Sequence, residues 1–114
     1  MANIYKNAKL DLTTNTVTTL YTVPSNSRAI VKSILVSSDS GSATTITVDL
    51  FDADPASGNK FTLFNTAAVD ANESIQLLTE PLIMLENEVL QVTATDANRL
   101  LVVSSILEIN REDR

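Results

Sequence analysis

The chain contains neither cysteine nor histidine, and each absence closes off a class of chemistry. Without cysteine there is no disulfide framework, no thiolate zinc site and no sulfur nucleophile. Without histidine there is no Ser-His-Asp triad, no imidazole metal site and no ordinary neutral-pH base. Tryptophan is also missing, and three Phe and two Tyr are the whole aromatic supply, so the core has to be aliphatic. The two glycines, Gly41 and Gly58, stand alone in turn-rich stretches. A phosphate-cradling loop needs several glycines before a helix, so nucleotide binding has no support. No stretch approaches the roughly twenty apolar residues of a membrane span. Met1 to Leu12 lacks the apolar segment of a signal peptide, so neither membrane insertion nor export by the usual signal is expected. Basic residues are few and scattered, 8 against 14 acidic, for a net charge of −6. A surface of that sign repels phosphate backbones, and no nucleic-acid partner is expected.

What the chain does have is the composition of a sheet protein. Its 114 residues suit one domain, and 44% apolar with 19% charged is globular. Thr and Val favour a pleated, half-buried surface. Alternation and turn clusters predict eight or nine short strands with little or no helix. They fall near residues 4–12, 17–23, 28–37, 45–51, 60–66, 73–79, 81–85, 89–95 and 99–110, with 67–71 open between strand end and a single helical turn. Turns lie at Pro24-Ser25-Asn26-Ser27, Ser38 to Ser42, Asp52 to Asn59, Glu86-Asn87-Glu88 and Asp96-Ala97-Asn98. Strands at spacings of about eight to twelve residues without intervening helices predict an all-β antiparallel sandwich, jelly-roll-like, over residues 1–110. Residues 1–7 are a candidate contact arm and 111–114 a charged tail.

Two strands carry apolar residues on both parities. Around Ile34 the reading places Ala29, Val31 and Leu35 on one face, with Ile30, Ile34 and Val36 on the other. Around Val102 it places Leu101, Val103, Leu107 and Ile109 against Leu100, Val102 and Ile106. A sandwich needs only its inner faces dry. Either a loop or terminus covers the second face, or a neighbouring subunit does. The candidate interface residues are Ile34 and Val102 from these strands, with Ile4, Tyr5 and Lys6 from the candidate contact arm. Tyr5 reads equally well as an ordinary first-strand residue.

Candidate chemistry is thin. Asp49, Asp52 and Asp54 cluster, as do Glu86 and Glu88, but paired carboxylates serve hydrolysis only across a defined cleft. Carboxylates of this kind are usually solvated turn residues, so no catalytic residues and no enzyme activity are expected. The segment from Asp52 fails as an EF-hand: Ala56, Ser57 and Leu63 fall where a ligand, the glycine and the closing glutamate belong. No cofactor or metal is expected. A carbohydrate-binding sandwich would have to rely on Tyr21 and the 49–54 loop.

The segments Leu20 to Leu50 (LYTVPSNSRAIVKSILVSSDSGSATTITVDL), Glu73 to Ala94 (ESIQLLTEPLIMLENEVLQVTA) and Arg99 to Ile109 (RLLVVSSILEI) together resemble small virion structural proteins of tailed bacteriophages, marine and cyanobacterial ones especially. The resemblance spans about Ile4 to Ile109. It implies a subunit of a symmetric particle, made in the host cytoplasm and located in the virion. It points first to a decoration or cement protein on the head surface, trimeric, contacting the major capsid protein or other virion proteins. A neck or tail adaptor, or a fibre-associated protein, is the alternative it leaves open. A carbohydrate-binding module is the alternative from a different class.

Overall fold

Alternating Thr/Val/Leu segments pair over long sequence distances. The computed structural model describes residues 2–110, in which nine strands and no helix are found. They are β1 (Ala2–Leu12), β2 (Thr18–Thr22), β3 (Ser27–Ser38), β4 (Thr44–Phe51), β5 (Lys60–Val69), β6 (Ser74–Gln76), β7 (Leu82–Met84), β8 (Val89–Ala94) and β9 (Leu100–Asn110). One sheet runs β1-β9-β3-β6, with β7 also on β3; the other runs β2-β8-β4-β5, and every pairing is antiparallel. β6 and β7 occupy successive halves of one edge of β3. The break between them contains Pro81, which cannot donate to a ladder. Gln76 bridges the gap: its Oε1 accepts the Ile34 N–H at 2.7 Å.

Counting β6 and β7 as one broken strand, the chain is a set of nested hairpins (β4 with β5, β3 with β6/β7, β2 with β8, β1 with β9) rolled so that β9 also meets β3 and β8 also meets β4. That order is the jelly-roll sandwich. The charged tail, 111–114, lies outside the described residues.

The core lies between the sheets. Val31, Ile34, Val36, Val102 and Ile106 of one sheet pack in a single cluster with Ile46, Val48, Leu90 and Val92 of the other. Burying each such side chain contributes about 1.5–3 kcal/mol before the cost of ordering it. Leu90, Val92 and Ala94 face inward as their alternation predicts.

β3 departs from the expected parity. Its ladder with β9 slips between Val31 and Ser33, leaving Lys32 as an extra, exposed residue. A bulge of one residue inverts every side chain beyond it. Ala29 and Val31 before it, and Ile34 and Val36 after it, are consequently all fully buried, while Leu35 turns outward. The two apolar parities read from sequence are thus mostly one inner face interrupted at Lys32. Ser104 supports this place: it is buried, and its Oγ donates to the Ser33 carbonyl at 2.8 Å.

β5 also departs. Irregularities opposite Val48 bring Leu63 and Phe64 together onto the core, although alternation opposed them, and Phe61 stays exposed. β5 then continues to Val69 rather than turning helical. Thr66 takes φ 49°, an unusual conformation for a β-branched residue, and its N–H donates to Thr47 Oγ1 at 3.0 Å. The other positive-φ residues, Asn72, Asn87 and Asn98, are asparagines in turns, where that side chain tolerates the left-handed region.

Candidate interaction faces

β9 supplies the midline of one outer face. Its even-numbered residues point into the core, so Leu101, Val103, Ser105, Leu107 and Ile109 point away from it. Register then aligns neighbours in rows across the sheet. Tyr5, Leu107, Ile30 and Ile83 form one row over β1, β9, β3 and β7; Lys9, Val103, Leu35 and Gln76 form another. Tyr5 is 77% exposed and Ile83 65%. Between these rows Ser105 is small, and a shallow groove of about 330 Å³ opens among Tyr5, Asn7, Lys32 and Ser105.

The outer face of the other sheet has a different character. Thr45, Thr47, Thr93 and Thr95 cover its middle, and its polar groups bond to one another. Gln91 Nε2 donates to Thr19 Oγ1 at 3.1 Å, and Thr62 Oγ1 donates to Asp49 Oδ1 at 2.7 Å. Thr45 and Thr95 hydroxyls also pair. Such a surface is satisfied by itself and by water.

The Ile4–Lys6 segment is part of β1, in continuous register with β9 from Ala2 to Leu12, at an open edge of its sheet. Ile4 is partly exposed and Tyr5 largely so. Lys6 turns towards the sandwich: its Nζ lies 3.2 Å from Glu108 Oε2 and 5.9 Å from the centre of the Tyr21 ring. Ile34 and Val102 are fully buried and touch no outer surface. They are core residues rather than contact residues, a correction that follows from the Lys32 bulge and from the parity of β9. The outward positions on those strands belong to Leu35 and Val103.

Glu108 was not singled out from sequence, yet it sits between the sheets and accepts hydrogen bonds from both Tyr21 and Lys6. The signal was present in β9, where the inward parity of Leu100, Val102, Ser104 and Ile106 continues to Glu108. Burial, then the hydrogen bond to Glu108, then the charge of that carboxylate hold the Tyr21 hydroxyl well above the usual tyrosine range. Tyr21 is therefore occupied in the interior and offers no platform for a sugar. Asp49 is likewise buried against Thr62.

The 52–59 loop uses its carboxylates on itself. Asp52 accepts the Asn59 N–H at 2.8 Å and the Asn59 Nδ2 at 3.1 Å, and these bonds lower its pKa. Asp54 accepts the Ala56 N–H at 2.9 Å. Among the described residues no three acidic side chains converge as a metal site would require.

No family model matches this sequence, and no curated protein matches it. Solved structures do share the fold. A chain of the infectious bursal disease virus T13 particle aligns with a TM-score of 0.58 and 9% identity, over 95% of this chain and 31% of that one. A chain in the acid-stable capsid of Helicobacter pylori bacteriophage KHP30 aligns with a TM-score of 0.57 and 14% identity, over 96% and 89%. A chain of the extra small virus particle from the prawn Macrobrachium rosenbergii aligns with a TM-score of 0.50 and 14% identity, over 99% and 82%. This chain thus spans about a third of the bursal disease virus chain and most of the other two. These three chains come from structures of virus particles and share the β-sandwich fold with this one.

Proposed function

We propose that the chain is a structural subunit of a virus particle, and more narrowly a decoration protein seated on the head of a tailed phage. The observation that carries this reading is the whole-length match of its jelly roll to a similarly sized chain in a phage capsid structure. Fold alone does not assign function. Three further features support the reading: a net charge of −6, the sequence resemblance to tailed-phage virion proteins, and a sandwich with one apolar and one polar outer face. The charge disfavours lining packaged nucleic acid and suits an outward position. A protein that binds only the assembled shell stabilises that shell by mass action. The expected trimer would use the open edge of β1 around Ile4, Tyr5 and Lys6, with Lys6 held by Glu108.

Immunogold electron microscopy of purified particles of the encoding phage tests it. Label spread over the head supports decoration. Label confined to the neck, tail or fibres moves the chain to the adaptor or fibre role. Particles without the chain overturn the virion reading.

A further inference from the structure

The outer face of the β1-β9-β3 sheet is distinguished by charge as well as by its apolar rows. On a chain of net charge −6, its outward strand positions carry Lys9, Arg28 and Lys32, and Asp11 is the one carboxylate among the described strand residues there. All three cations are exposed. Apart from Asp49 on the other sheet and Glu108 between the sheets, the remaining described acidic residues lie in turns and strand ends, with Glu80 and Glu86 on either side of β7. Arg28 lies across from Ile109, Lys9 across from Val103, and Lys32 projects from the bulge beside the Ser105 groove. The cations therefore surround and punctuate apolar ground made by Tyr5, Leu107, Ile30, Leu35 and Val103. Interfaces of this kind gain affinity from a desolvated apolar centre and orientation from charges of opposite sign.

The same pattern argues against a second copy as the occupant. Two copies meeting face to face across a two-fold axis bring the middle of the face against itself. The middle here is the Ser105 groove, bordered by Lys32, so the pair would bring like charges together at its centre. We infer that this face docks on a different virion protein, whose contacting surface is apolar at its centre and carries carboxylates placed for Lys9, Arg28 and Lys32. The inference rests on the virion reading above and adds the face and the chemistry of its partner.

Amine acylation of intact particles, compared with the free chain, provides the test. Lys9 and Lys32 should lose at least tenfold in reactivity, while Lys60, at the start of β5 in the other sheet, stays reactive. Carbodiimide coupling, which joins an amine directly to a touching carboxylate, should link Lys9 or Lys32 to an Asp or Glu of another virion protein. Particles that contain the chain with Lys9 and Lys32 fully reactive would overturn the docking face and leave the virion reading intact. Coupling to a second copy of this chain would overturn the choice of partner. As an independent measurement, an Arg28→Glu, Lys32→Glu double variant should rebind stripped particles at least tenfold more weakly than the parent. Thr93→Glu on the polar sheet should rebind like the parent. The reverse pattern would overturn the assignment.

Discussion

Replacing Tyr21 by Phe removes a single hydroxyl from between the sheets and leaves the Glu108 carboxylate, only 3% exposed, with Lys6 as its remaining side-chain partner. A hydrogen bond to a charged group contributes about 1.5–3 kcal/mol, and the buried Glu108 carboxylate has little exposure through which solvent could replace it. Lys6 compensates little, because its side chain is 40% exposed and exposed ion pairs are worth about 0–1 kcal/mol. Tyr21→Phe should therefore lower stability by about 2 kcal/mol, and Lys6→Met by less than about 1. With a urea slope of roughly 2 kcal/mol/M, the first change moves the unfolding midpoint by about 1 M. The pH dependence gives a second reading. The folded-state pKa of Tyr21 is raised, so its hydroxyl stays protonated in the folded protein where the unfolded chain ionises. The stabilisation is complete below the unfolded value of about 10 and declines as pH rises above it, by about 1.4 kcal/mol per pH unit. The parent should lose stability above pH ~10 more steeply than Tyr21→Phe, measured by urea titration at a series of pH values. Parallel profiles for the two proteins, or a larger loss from Lys6→Met than from Tyr21→Phe, would refute the buried-pair reasoning.

Three further outcomes test the packing. Ile34→Ala should cost about 2–5 kcal/mol, as for a fully buried aliphatic. Leu35→Ala should cost less than about 1, because it points outward; equal losses in urea midpoint would contradict the Lys32 bulge. Deleting Lys32 should leave folding cooperative, since Val31 already pairs with Ile106 and Ser33 with Ser105, so the ladder becomes regular with Ile34 and Val36 still inward; loss of the sharp thermal transition in that variant would refute the bulge reading. Gly58→Ala places a Cβ 2.9 Å from the Ala53 backbone nitrogen, so the 52–59 loop must shift, at a cost of roughly 1–3 kcal/mol. Faster proteolysis within that loop should accompany the loss.

Most of the strands were legible because period-two alternation and turn residues are local signals. Even the weak alternation of Val89 to Thr95 gave the right inward residues, Leu90, Val92 and Ala94. Asn87 and Asn98 mark turns for an equally local reason, since their backbones take positive φ. The faces were less legible. A bulge is one unpaired residue defined by the opposite strand, and nothing in Val31-Lys32-Ser33 announces that β9 will skip Lys32. Alternation read through that point exchanges core and surface, which is how Ile34 came to be expected at an interface. Val102 had the correct parity, but which parity faces inward depends on where the second sheet lies.

Composition and spacing by themselves determined an all-β sandwich with an aliphatic core and no cysteine or histidine chemistry. They also placed the 52–59 segment as a turn with solvated carboxylates; that Asp52 and Asp54 close it came from the structure. The tertiary structure alone decided that β9 lies between β1 and β3 and that β6 and β7 share one edge. It decided as well that Glu108 meets Tyr21 across the core, from 87 residues away. It separated an apolar face bearing Lys9, Arg28 and Lys32 from a threonine face that satisfies its own hydrogen bonds. The physical reason is common to these cases: local propensity fixes how each segment extends and turns, whereas pairing between distant strands fixes which side chains share a surface.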